Sequence, residues 1–298
     1  MNIFLLAIAA LLAAIMGFAI QRGATCTVAA VDEIVREHRA RRLLSMVEAS
    51  LWVAGGFIIA DALHLMPGVP AGHAVGYLTI VGGVLLGVGA FVNQACVFGA
   101  IARLGSGEWV YLLTPVGFYL GCASVVMVFG QPTPNPLTDV SPVISSSHLL
   151  ALPLAAFMLW RGVRLVWQFK TSRTRATTPA PRIWSPHTAT VTIGVTFFFL
   201  LIIMGAWAYT DVLAEIARGM TQNLPARIAL VLALLAGAVI GGWTDGRFHS
   251  TRVTATQSAK CLAGGVLMGW GSLLIPGSND GLILLGMPLL WPYAWTRS

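Results

Sequence analysis

Apolar residues run along this chain in long unbroken blocks, and the polar residues gather between the blocks rather than alternating within them. Blocks long enough to cross a hydrocarbon core of ~30 Å as helices rising 1.5 Å per residue lie at 2–20, 44–65, 75–93, 111–130, 148–169, 188–208, 226–243 and 260–275, with a shorter one at 281–295. The pattern predicts an all-α polytopic membrane protein of about nine transmembrane helices. Four apolar pieces are too short to cross again: 24–35, 94–104, 210–219 and the stretch after Pro276-Gly277. These are expected to be re-entrant half-helices. A break at membrane depth strands backbone N–H and C=O groups, so it survives only inside protein or beside a hydrated cavity. A half-helix N-terminus facing such a cavity offers free N–H groups and a positive dipole end to an anion.

The blocks also repeat. Gly82-Gly83-Val84-Leu85-Leu86-Gly87-Val88-Gly89 returns 182 residues later as Gly264-Gly265-Val266-Leu267-Met268-Gly269-Trp270-Gly271. The first copy runs on to Cys96 and Gly99, the second to Ser278 and Gly281, at the same spacing. A weaker echo sets Gly17 and Arg22 against Gly242 and Arg247. Glycine-rich apolar helices that stop at a small polar residue, once per half, are how many transporters build a substrate site. A single membrane domain of two pseudo-symmetric halves follows, 1–146 and 147–298. The Thr-, Arg- and Pro-rich loop 170–187 is expected as the natural seam between the halves.

Composition agrees. Hydrophobic residues make up 57% of the chain and charged ones 10%, with a mean hydropathy of +0.80, against about 25% charged in soluble domains. In a soluble protein the net charge of +7 would suggest nucleic acid. Here the basic residues sit in loops, at Arg36, Arg39, Arg41 and Arg42, at Lys170, Arg173, Arg175 and Arg182, and at Arg247, Arg252 and Lys260. By the positive-inside rule these loops are cytoplasmic. Loop 131–146, which holds no Lys or Arg, is then outside, with the N-terminus outside and, on nine spans, the C-terminus inside. The first block lacks a positive n-region and reads as an uncleaved helix.

The chemistry should lie at the breaks. The first reads Gly17-Phe18-Ala19-Ile20-Gln21-Arg22-Gly23-Ala24-Thr25-Cys26, the second Asn93-Gln94-Ala95-Cys96-Val97-Phe98-Gly99, and the third Ile275-Pro276-Gly277-Ser278-Asn279-Asp280-Gly281. Cys26 and Cys96 stand at equivalent breaks beside Gln21 and Gln94. A buried thiol is otherwise a small hydrophobe, the reading given to Cys122 and Cys261. Arg22 and Arg247 either snorkel to the surface or form an anion-attracting funnel. Asp280 either caps the next helix or acts as an intramembrane functional carboxylate. The cysteine spacings form no C-x-x-C pair for zinc or dithiol chemistry, no phosphate-binding loop is present, and no cofactor is implied.

These break motifs resemble the YeeE/YedE family of sulfur transport proteins, from Gly17 to Cys26, from Gly82 to Gly107 with the Arg103-Leu104-Gly105-Ser106-Gly107-Glu108 tail, and from Gly264 to Gly281. The resemblance implies a bacterial inner-membrane uptake transporter for thiosulfate or a related small sulfur anion. It further implies nine membrane helices with short re-entrant ones, and three cysteines lining a central path. Cys26 and Cys96 match two of these cysteines, and the third position holds Ser278, followed by Asn279 and Asp280. A cytoplasmic sulfur-accepting protein is the partner such a transporter would feed. Two other functions compete: a membrane sulfur-transfer enzyme forming a cysteine persulfide, and a non-transporting scaffold.

Overall fold

The computed structural model describes residues 3–65, 71–130, 136–137, 141–175, 184–205, 207–220, 223–246, 248–275 and 277–295. Almost all of these are helical. The only pairing of β type among the described residues is an isolated antiparallel bridge between His73 and Pro136.

The elements run in the order α1 (Ile3–Gly23), α2 (Thr27–Glu37), α3 (Arg41–Ala62), α4 (Tyr77–Asn93), α5 (Val97–Gly105) and α6 (Leu113–Phe129). After α7 (Pro142–Ser145) and the long α8 (Ser147–Arg175) come α9 (Pro186–Met204), α10 (Tyr209–Ala217), α11 (Leu224–Thr244), α12 (Ala255–Leu274), α13 (Asn279–Gly281) and α14 (Pro292–Trp295). Among the described residues seven helical stretches are long and apolar enough to cross a membrane: Ile3–Glu37, Arg41–Ala62, Tyr77–Gly105, Trp109–Phe129, Ser147–Leu165, Pro186–Met204 and Leu224–Thr244. With 20 residues, α12 is also about 30 Å long. Its polar first turns and its glycines make it less apolar, which it tolerates because it packs between α4 and α6. Phe91, Met127, Leu152, Leu159, Trp167 and Trp243 are each more than half exposed, the outward apolar surface a lipid-facing protein needs.

Residues 281–295, expected as a ninth crossing, form no single long helix. A π-helical turn at Leu282–Gly286 and the short α14 divide the segment. The Ser50 hydroxyl donates to the Ile283 carbonyl at 2.8 Å, and Ser141 donates to the Leu289 carbonyl at 2.8 Å. A Cβ on Gly72 would strike the Trp291 ring at 2.3 Å, and the His73 and Tyr293 rings meet edge to face. Residues 289–293 therefore lie against Gly72, His73 and Ser141, the last in the loop that the charge pattern puts outside, and not on the opposite face as nine crossings require. The segment is rich in glycine and proline, and its apolar side chains are mostly buried in protein. Hydropathy alone cannot separate that arrangement from a span.

The two copies of the glycine motif pack on each other. A Cβ at Gly82 would lie 2.9 Å from the Gly271 carbonyl oxygen, and one at Gly271 would lie 2.6 Å from that of Gly82. Gly89 and Gly264 stand in the same reciprocal relation, at 2.8 and 2.7 Å. Helix backbones come this close only where no side chain intervenes. α1 and α11 pack as tightly: a Cβ at Gly17 would lie 1.9 Å from the Leu234 carbonyl oxygen, and one at Gly237 equally near that of Ala14. Gly17 is thus answered across this contact by Gly237, and Gly242 approaches the Gly105 carbonyl on α5.

Candidate functional site

Two of the breaks are built alike, residue for residue. At the end of α1 the Ala24 N–H donates to the Gln21 carbonyl and the Thr25 N–H to the Ile20 carbonyl. At the end of α4, Gln94 donates to Phe91 and Ala95 to Ala90. This pair of bonds is the Schellman ending, which needs a left-handed residue at its centre. Ala24 (φ 46°) and Gln94 (φ 59°) supply it. One further residue brings each chain to a cysteine with extended ψ, Cys26 before α2 and Cys96 before α5.

The two thiols cap each other's helices. The Cys96 sulfur accepts from the Gly99 N–H of its own helix at 3.5 Å and from the Thr27 N–H of α2 at 3.3 Å. The Cys26 sulfur accepts from the Cys96 N–H at 3.4 Å, and the Cys96 S–H points at the Cys26 sulfur, also at 3.4 Å. Both thiols are buried and neither forms a disulfide. Two helix N-termini thus converge on two polarizable sulfurs, an arrangement that can hold a soft anion through N–H and S–H donors.

An oxygen-rich cluster forms around the third break. The Thr210 hydroxyl, in the first turn of α10, donates to the Asp280 carboxylate at 2.8 and 3.0 Å and lies 2.5 Å from the Ser278 hydroxyl. Ser278 also bonds Asp280, whose carboxylate accepts from the Gly281 N–H at 3.1 Å. All three side chains are buried. The Tyr209 hydroxyl ties this cluster to the thiols by donating to the Val97 carbonyl at 3.0 Å, one residue past Cys96.

The sequence pattern described as Sulphur transport matches residues 22–298, from the arginine of the first break onward. The chain belongs to the sulphur transport family. It is 24% identical over 314 aligned positions, covering 92% of this chain and 86% of the relative, to the thiosulfate transporter TsuA of Escherichia coli (strain K12).

The sequence-predicted residues fall into distinct places within this family member. Cys26 and Cys96 meet. Ser278 and Asp280 meet each other and Thr210, but the Ser278 hydroxyl bonds oxygen partners rather than the thiols. Arg22 neither snorkels nor stands open as a funnel: it is 7% exposed, and its guanidinium bonds Asp245 at 2.7 Å and Thr244 at 2.9 Å while lying over the Phe18 ring. Gln21 is buried where α1, α5 and α11 join, donating to the Ser106 hydroxyl at 3.3 Å, and Gln94 is exposed as a helix cap. Arg247, Pro276 and the Asn279 side chain lie outside the described residues. Thr25, Tyr209, Thr210 and Asp245 were missed. For Thr210 a signal existed: the polar run Tyr209-Thr210-Asp211 opens a short apolar piece, and the 182-residue offset of the glycine motif carries Thr27, just after Cys26, onto Tyr209. Cys122, whose thiol lies 3.7 Å from the Gly269 carbonyl, and Cys261 stay in helix packing. Among the described residues no group of three or more His, Cys, Asp or Glu could hold a metal ion.

Proposed function

We propose that this chain is a bacterial inner-membrane transporter that takes up thiosulfate or a closely related small sulfur anion, passing it along a central path lined by cysteine thiols and half-helix N-termini. The observation that carries this reading is the Cys26–Cys96 pair, each thiol set at a helix start and joined to the other's backbone. Thiosulfate has a soft terminal sulfur and three hard oxygens. A thiol meets the sulfur end through weak, polarizable contacts, which suits conduction because a tight site would trap the ion. The E. coli relative bears the name of a thiosulfate transporter, which points to the same cargo.

In this reading α2, α5, α10 and α13 are re-entrant, and the series α1–α5 is repeated as α9–α13, with α8 linking two pseudo-symmetric halves. Cys96 and Ser278 then hold equivalent positions, one facing a thiol and the other a carboxylate. With the basic loops inside, the start of α1 and residues 289–293 lie on the outer side. A cytoplasmic sulfur-accepting protein would receive the cargo. A persulfide-forming enzyme is the second reading; it would need an activated thiolate, and Arg22, the basic residue nearest Cys26 in sequence, is engaged by Asp245.

The test is uptake of labelled thiosulfate into proteoliposomes, with sulfate, sulfite, sulfide and selenium analogues as competitors. Cys96→Ala and Cys26→Ala should each cut uptake at least about tenfold, the loss of one charge-assisted contact worth ~1.5–3 kcal/mol. Full uptake by both variants would remove the thiols from the path. A stable persulfide found by mass spectrometry after thiosulfate exposure would favour the enzyme.

A further inference from the structure

A narrow gap opens beside Cys26 that the thiol pair does not use. It is bounded by Thr25 and Cys26 at the first break, by Arg42 and Ser45 in the first turns of α3, and by Pro186 and Thr190 in the first turns of α9. A second, apolar lobe continues it past Thr25, Met46 and Thr190 to Phe98 and Ile283.

The hydroxyls around the gap differ in one respect. Ser45 already donates to the Arg42 carbonyl at 2.7 Å, and Thr190 to the Pro186 carbonyl at 2.9 Å. The Thr25 hydroxyl, on a side chain 7% exposed, has no hydrogen-bond partner. A buried hydroxyl left unbonded costs about 1–3 kcal/mol, so it is expected where something else completes it. At the mouth stands Arg42, whose guanidinium is paired with no carboxylate among the described residues; Glu33 accepts from its backbone N–H instead. The first turns of α3 and α9 add their positive dipole ends.

We infer that this gap is a second anion station, on the cytoplasmic side of the thiol pair, and that it takes the oxygen end of a small sulfur oxyanion through the Thr25 hydroxyl and the Arg42 guanidinium. The inference rests on the transport reading above and assigns the oxygens of the cargo their own donors. An anion held by its sulfur at Cys26 has its oxyanion end free to turn toward Thr25, and Arg42 then draws it toward the basic loop. The gap holds about one water molecule, so the station is filled only when the first turns of α3 and α9 separate. Those turns are clamped together by Glu48 of α3, which bonds His187 of α9 at 2.5 Å.

The experiment is thiosulfate uptake into proteoliposomes by Thr25→Val, Thr25→Ser, Arg42→Gln and the unaltered chain. Thr25→Val keeps the shape and loses the hydroxyl, and should raise the half-saturating thiosulfate concentration about tenfold. Thr25→Ser should restore it to within about twofold. Arg42→Gln should raise it severalfold and flatten its dependence on salt. Because Arg42 sits at the half-open mouth, that arm stands even if Thr25→Val fails to fold. Unchanged half-saturation in both Thr25→Val and Arg42→Gln overturns the station, as does an equal loss in Thr25→Ser, which would mark packing rather than donation. An unaltered chain that carries no thiosulfate overturns the transport reading instead.

Discussion

Gly99 leaves the space that the Cys26 sulfur fills: a Cβ there would lie 2.6 Å from the Cys26 sulfur and 3.1 Å from its Cβ. Gly99→Ala is therefore expected to push the thiol off the Cys96 N–H and to lower thiosulfate uptake about tenfold. Gly281, its counterpart in the repeat, meets nothing within 4 Å, so Gly281→Ala should be tolerated in uptake and in thermal stability. The difference follows from what lies opposite, since the 182-residue offset that brings Gly99 to Gly281 brings Cys26 to Ala208. At this scale the two cysteines were legible because each sits at a break that the apolar lengths expose. Thr25 and Thr210 were not. A hydroxyl's role depends on which donors and acceptors remain open around it, and those come from helices distant in sequence.

The Arg22–Asp245 pair fastens the end of α1 to the end of α11, with side-chain exposures of 7% and 2%. Asp245→Ala would leave the guanidinium buried without its carboxylate and should cost about 3–5 kcal/mol, read as a lower unfolding midpoint in detergent. A double variant, Arg22→Met with Asp245→Leu, should recover most of that stability. Gly17→Val should destabilise the same helix pair by at least about 2 kcal/mol, since its side chain would run into the Leu234 carbonyl. The long helices were legible from block length, and so were the short pieces α2, α5 and α10. The partners of the α1 and α11 glycines were not. Gly17 meets the Leu234 carbonyl and Gly237 that of Ala14, close approaches that no residue type announces.

Across the whole molecule, bringing a dianion into an inside-negative cell works against about 2.3 kcal/mol per charge per 100 mV. If the cargo crosses with both charges uncompensated, making the vesicle interior about 60 mV more positive should raise its equilibrium accumulation roughly a hundredfold. A shift well short of that in a clamped-potential uptake assay would mean that cations travel with the anion. Asp280 is then the residue to change first, because its partners among the described residues are hydroxyls and an N–H. The seam between α4 and α12 bears on how such a molecule holds together. A contact in which 82 meets 271 while 89 meets 264 is self-complementary, the form a twofold dimer of identical chains must take. On the two-half reading proposed above, the α1–α5 series meets its repeat α9–α13 across this seam. The protein should then tolerate being cut: fragments split in the linker after α8 and expressed together should reassemble along the glycines and regain uptake.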